Sequence, residues 1–198
     1  MRTFEDFREF GGEQATEPVV VIAPSPATAT SHNSPMTPVA LPAEIVKGLE
    51  SRLKDEYTAH LIYRNAANWC KNANYKKAAA FFEAEAMDEL EHAKSLQDYM
   101  TQWNILPQIP VCEVPNKITS LVQAINEAYV FEYNLLVSYS ELQNDFDKTH
   151  PASFNFIQGF VNIQNESVAV FSDLLNALNL VDVNNRLDVL MFEDKYFG

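Results

Sequence analysis

The stretch Asp88–Lys94, which reads DELEHAK, places three acidic side chains and one histidine within seven residues. It lies inside a longer segment, from about residue 74 to 103, that has the apolar periodicity of a packed helix. Glu89 and His92 are three residues apart, so both would lie on one face of that helix and could bind the same ligand. Such pairs also occur by chance on solvated helix faces, so the meaning of this one depends on the rest of the chain.

The chain around this stretch predicts an all-α fold. Glycine is scarce, with 5 in 198 residues, and the prolines fall mostly before residue 43 or between residues 107 and 115. We predict four long helices and a short fifth, at about residues 42–72, 74–103, 119–148, 152–179 and 186–196. The connection NILPQIPVCEVPNK is too rich in proline for a helix and too long for a tight turn. It would therefore be a long crossover between helices 2 and 3, which would run parallel in a four-helix bundle.

Residues 1–41 differ in composition from residues 42–198. The segment APSPATATSHNSPMTP is rich in Pro, Ser, Thr and Ala, which predicts a flexible linker. The apolar element VVVIA precedes it, and two interpretations remain open: a disordered tail, or a peptide that docks on a partner or a neighbouring subunit. We predict a flexible N-terminal extension over residues 1–41 and one helical domain over residues 42–198.

The chain is acidic, with a formal net charge of -13. This argues against nucleic acid as a partner, because phosphate binding requires a basic surface, and it favours the attraction of cations. No apolar run is long enough to span a membrane. Cys70 and Cys112 lack metal-type spacing, so we predict reduced thiols in a cytoplasmic protein.

Polar side chains interrupt the apolar stripe of each long helix near its midpoint. Helices of similar length that pack side by side bring their midpoints to one level, so these side chains would converge. They are Glu56 in the first helix, Glu89 and His92 in the second, Glu132 in the third and Gln164 in the fourth. Burying an unpaired carboxylate costs several kcal/mol, and no Lys or Arg lies on the stripes at this level. A bound cation would balance the charge, and carboxylates with imidazole suit Fe, Mn or Zn.

Neighbouring residues have simpler explanations. His60, one turn from Glu56, is more commonly a hydrogen-bonded core histidine than a ligand. Tyr63 is most simply a core residue whose hydroxyl bonds a carboxylate. Glu85 and Glu91 are predicted to be solvated. The coincidence across four helices, more than any single residue, favours the metal site.

At these residues the sequence resembles the ferritins, in particular the non-haem bacterial branch, over about residues 42–197. Ferritin-like di-iron bundles are an established case of ligands that project from facing helices. The matching motifs place six residues at the family's site positions: Glu56 and Tyr63 in DEYTAHLIY, Glu89 and His92 in DELEHAKSL, Glu132 in EAYVFEYN and Gln164 in FNFIQGFVNIQNES.

The resemblance implies a ferroxidase centre, where two Fe(II) ions bind and O2 oxidises them to Fe(III). The metal ligands would be Glu56, Glu89, His92, Glu132 and Gln164, with Glu89 as the bridge and Tyr63 beside them. Ferric ions would be stored as mineral in a hollow homo-oligomeric shell, normally of twenty-four subunits. The implied partners are therefore Fe(II), O2 and further copies of the chain.

The chain departs from the family's pattern at several positions. Leu90 stands where bacterioferritins carry their haem methionine, so we predict no haem. Asp88 and Glu166 match two acids of a third iron site found in bacterial members. Ile163 and Ser167 replace two others, so we do not expect that site in its usual form.

Two other functions remain open. One is a different di-iron carboxylate oxidoreductase, although such enzymes usually take Glu-x-x-His from two helices and this chain offers one. The other is a structural subunit of a mixed ferritin cage, although such a subunit could lose the ligands that this chain retains.

Overall fold

The computed structural model describes residues 37–113, 117–147 and 149–197. These residues form five helices and no strand: α1 (Ala43–Ala73), α2 (Lys76–Gln102), α3 (Leu121–Phe146), α4 (Pro151–Leu178) and α5 (Arg186–Tyr196). The predicted all-α fold is confirmed, and each predicted helix end lies within two residues of the observed end. Nearly all of the N-terminal extension, including VVVIA, lies outside the described residues, so both interpretations of it stay predictions.

Local sequence signals set the helix ends. Asn74 has a φ of 67°, a left-handed conformation that asparagine tolerates, and it ends α1. This turn delays the start of α2 to Lys76, two residues after the predicted start. The Ser120 hydroxyl caps α3 by accepting a hydrogen bond from the backbone N–H of Gln123 at 3.0 Å. Pro151 occupies the first turn of α4, where its missing N–H costs nothing.

Contacts between the helices define a four-helix bundle. α1 packs along α2, and α3 packs along α4. Across the α1–α3 contact, Glu56 meets Tyr139 and Tyr63 meets Glu132, so α1 and α3 run antiparallel. α2 follows α1 after a short turn and is antiparallel to it. Therefore α2 and α3 run parallel, as predicted for helices joined by a long crossover.

The buried side chains form two apolar clusters with a polar level between them. One cluster includes Tyr63, Phe82 and Phe171. The other includes Leu49 and Leu96. Burying each large apolar side chain stabilises the fold by about 1.5–3 kcal/mol, and together they offset the cost of the buried polar groups. Within the described part of the chain, no helix is both long enough and apolar enough to cross a bilayer.

Candidate metal centre

Three side chains of ligand type meet in the middle of the bundle. They are Glu56 from α1 and Glu89 and His92 from α2. Each offers one ligand atom, and these three atoms lie within 4.8 Å of one another. His92 Nδ1 lies 3.1 Å from Glu89 Oε2 and 3.6 Å from Glu56 Oε2. Ligand atoms with this spacing can surround one ion at metal–ligand distances of about 2.0–2.2 Å.

Glu132 brings a third buried carboxylate to the same level from α3. Its side chain is fully buried, and its Oε1 accepts a hydrogen bond from the Tyr63 hydroxyl. Its Oε2 has no hydrogen-bond partner among the described residues. The Tyr63 bond therefore orients the carboxylate and leaves one oxygen available.

Gln164 lies on α4. It is fully buried, and among the described residues neither Oε1 nor Nε2 of its amide has a hydrogen-bond partner. Glu56 Oε2 is buried and unpartnered in the same sense. An unsatisfied buried polar group costs about 1–3 kcal/mol, so these unpartnered atoms favour a bound ligand. The donor set of carboxylate oxygens, an imidazole and an amide fits a divalent cation such as Fe(II).

Burial changes the proton affinity of Glu89, Glu132 and His92 in this centre. Burial raises the pKa of Glu89 well above its usual value, and the nearby charge of Glu56 adds to this effect. Burial also raises the pKa of Glu132 to about 7. Burial alone would lower the pKa of His92, but the Glu56 carboxylate 3.6 Å away and the hydrogen bond to Glu89 outweigh burial and raise it to about 10. Protons therefore balance the acids of the metal-free centre, and a bound cation would replace them.

Tyr139 is a neighbour of the centre that the sequence analysis did not select. Its hydroxyl donates a hydrogen bond to Glu56 Oε1. The sequence does contain a signal for this residue. Glu132 and Tyr139 in α3 have the same seven-residue spacing as Glu56 and Tyr63 in α1.

Residues next to the centre divide into two groups. His60 Nδ1 lies 2.5 Å from the carbonyl oxygen of Ala86, so it is hydrogen-bonded in the way expected of a core histidine. Glu91 is exposed, as predicted. The prediction of a solvated Glu85 is wrong: its side chain is half-buried, and burial together with the charge of Asp88 raises its pKa to about 7.

The centre adjoins an acidic cavity of about 240 Å³ between α2 and α4. Glu89 and His92 form part of its wall, so the cavity reaches the predicted ligands. Acidic side chains supply much of the remaining lining: Glu85, Asp88, Glu91 and Glu166. This acidic lining attracts cations toward the centre.

The chain is similar to bacterial non-heme ferritins over most of its length. It is 29% identical over 158 residues to the bacterial non-heme ferritin of Escherichia coli O157:H7, covering 78% of this chain and 94% of that protein. It is 27% identical over 148 residues to the bacterial non-heme ferritin of Campylobacter jejuni, covering 71% of this chain and 86% of that protein.

Solved ferritin structures share the fold. An open-pore ferritin from Archaeoglobus fulgidus superposes with a TM-score of 0.74 at 20% identity, covering 80% of this chain and 98% of that chain. Chlorobium tepidum ferritin superposes with a TM-score of 0.69 at 24% identity, covering 78% of this chain and 94% of that chain. The family described as Ferritin-like domain matches residues 46–181, which is more than half of the sequence. The chain therefore belongs to the ferritin family.

Proposed function

We propose that this protein oxidises Fe(II) with O2 at the buried centre and stores the ferric product in an oligomeric cage. One observation carries the proposal: Glu56 of α1 and Glu89 and His92 of α2 bring ligand atoms within 4.8 Å of one another in the interior of the bundle. Among the described residues, buried polar atoms of Glu56, Glu132 and Gln164 also lack a hydrogen-bond partner. Family membership and the relatives named bacterial non-heme ferritin support iron as the metal.

Each residue has a role in this proposal. Glu56 and His92 hold one Fe(II), Glu132 and Gln164 hold the second, and Glu89 bridges them. Two Fe(II) ions supply the two electrons that convert O2 and two protons into hydrogen peroxide. Hard carboxylate oxygens stabilise Fe(III) more than Fe(II), so they make this electron transfer more favourable.

The side chains around the irons would act through orientation and exclusion of water. Tyr63 holds one oxygen of Glu132 and leaves the other for the metal. The two apolar clusters enclose the centre from both ends of the bundle, which strengthens its electrostatic interactions. The proposed chemistry requires no haem.

Assembly into a homo-oligomeric cage of twenty-four subunits and a cytoplasmic location belong to the same proposal. Large apolar side chains of α5 are exposed in the single chain, with Leu187 at 62% and Met191 at 64%. Exposed apolar surface of this kind commonly marks a protein–protein interface. Cys70 and Cys112 are free thiols, in keeping with a reducing compartment.

Iron loading tests the proposal. Fe(II) is added in air in many-fold excess over subunits, the ferric absorbance is followed, and the product is sized by gel filtration. We expect far more than two irons per subunit to be taken up by a large shell. Turnover that stops at two irons on a monomer or dimer would contradict storage and favour another di-iron oxidoreductase. An intact shell without oxidation would favour a structural subunit.

Glu89→Ala tests the centre itself. Removal of the proposed bridge should abolish the fast phase of Fe(II) oxidation, because the two irons lose their shared ligand. Glu141→Ala is the matched control, since Glu141 is an exposed glutamate on α3. An unchanged fast phase in Glu89→Ala would refute the assignment of this residue.

A further inference from the structure

We propose that Tyr139 is a positioning residue of the metal centre: it holds one oxygen of Glu56 so that only the other is presented to the metal. This inference rests on the proposed function for the identity of the substrate metal.

The Tyr139 ring has little freedom to move. It is fully buried in α3. The Phe160 ring stacks against it with centroids 5.0 Å apart and an interplanar angle of 16°. The Arg52 guanidinium lies 5.7 Å from its centroid, within the range of a cation–π contact. These neighbours fix the direction of the hydroxyl, which donates its hydrogen bond to Glu56 Oε1.

The two oxygens of Glu56 therefore have different surroundings. Oε1 is occupied by the Tyr139 hydroxyl. Oε2 lacks a hydrogen-bond partner among the described residues and lies 3.6 Å from His92 Nδ1, on the side where the candidate ligands meet. A carboxylate held in this way binds a metal through one defined oxygen and loses little conformational entropy on binding.

The same arrangement occurs a second time in the centre. Tyr63 from α1 holds Oε1 of Glu132 on α3 and leaves its Oε2 unpartnered. Tyr139 from α3 holds Oε1 of Glu56 on α1 and leaves its Oε2 unpartnered. The seven-residue spacing in each helix and the antiparallel α1–α3 register generate both pairs. Each carboxylate is thus oriented by a tyrosine of the opposite helix.

If Tyr139 had a purely structural role, replacing it would lower stability without changing metal binding. Tyr99 provides the comparison. Tyr99 is also a buried tyrosine, and its hydroxyl lies 2.9 Å from Ser153 Oγ in a contact between α2 and α4. Neither partner belongs to the candidate centre. Tyr99→Phe therefore removes a buried tyrosine hydroxyl without changing a proposed ligand, which makes it the matched control for Tyr139→Phe.

The experiment measures Co(II) binding to the purified, metal-free full chain without oxygen, by visible absorption. Tyr139→Phe should bind Co(II) about 10–100-fold more weakly than the unmodified protein and with an altered visible spectrum, because Glu56 is no longer oriented. Tyr99→Phe should keep the affinity and the spectrum. If Tyr139→Phe also keeps both, while losing stability like Tyr99→Phe, the positioning role is overturned.

A Glu56→Ala background provides the second measurement. If Tyr139 acts through Glu56, adding Tyr139→Phe to Glu56→Ala should cause no further loss of Co(II) affinity. An equal loss in both backgrounds would overturn the proposal. Iron uptake by the unmodified protein is measured in a separate experiment. A protein that takes up no iron would refute the proposed function, whereas the Co(II) affinities decide the role of Tyr139.

Discussion

Replacing Glu132 with glutamine should stabilise the metal-free protein at alkaline pH and abolish rapid Fe(II) oxidation. Glu132 is fully buried, and burial raises its pKa to about 7, because the hydrogen bond from Tyr63 only partly offsets the loss of hydration. In the unfolded chain a glutamate has a pKa of about 4.3. One pKa unit corresponds to about 1.4 kcal/mol, so ionised Glu132 destabilises the fold by on the order of 4 kcal/mol.

The sign of the pH dependence follows from this difference. The folded state binds the Glu132 proton more tightly than the unfolded state does, so this contribution to stability falls between about pH 4 and pH 7 and then levels off. Glutamine keeps the shape of the side chain, can accept the hydrogen bond from Tyr63 and carries no charge. The variant should therefore lack the part of the pH dependence that Glu132 causes.

Urea unfolding of the metal-free protein, followed by circular dichroism at pH 5 and pH 8, measures this effect. At pH 8 the unfolding midpoint of Glu132→Gln should be higher by about 1–4 M urea, given m values of about 1–3 kcal/mol/M. At pH 5 the difference should shrink to about a third of its value at pH 8, because the folded-state carboxyl is still protonated there while the unfolded glutamate is mostly ionised. The surface control Glu141→Gln should follow the unmodified protein at both pH values. A variant less stable than the unmodified protein at pH 8 would refute the reasoning.

Zn(II) binding at pH 7 should release protons from the centre, including that of His92, whose pKa is raised to about 10, and a pH indicator in weak buffer should detect them. Binding without proton release would contradict this. In a Cys112→Ser variant, the remaining Cys70 should not react with a thiol reagent at pH 8 until the protein unfolds, because burial raises its pKa to about 12. Glu193 Oε1 accepts hydrogen bonds from the backbone N–H groups of Lys77 and Ala78, in the first turn of α2, at 2.6 and 3.0 Å. Glu193→Ala should therefore lower the free energy of unfolding in urea by about 0.5–2 kcal/mol.

Most of the fold was predictable because its signals are local. Prolines and capping residues mark helix ends, as Pro151 does for α4. The period of the apolar stripes shows which face of each helix is buried, and it correctly placed Glu56, Glu89, Glu132 and Gln164 in the interior. The left-handed turn at Asn74, which delays α2, was not anticipated, since asparagine is also compatible with a helix.

The sequence by itself determined which side chains enter the core, because the 3.6-residue period is a property of each helix alone. Only the tertiary structure decided which of them meet. It directed His60 to the carbonyl of Ala86, brought Glu56 to His92, and joined Tyr139 to Glu56. These outcomes depend on how far one helix slides and rotates against another, and only the packing of complete side chains across the interface sets that register.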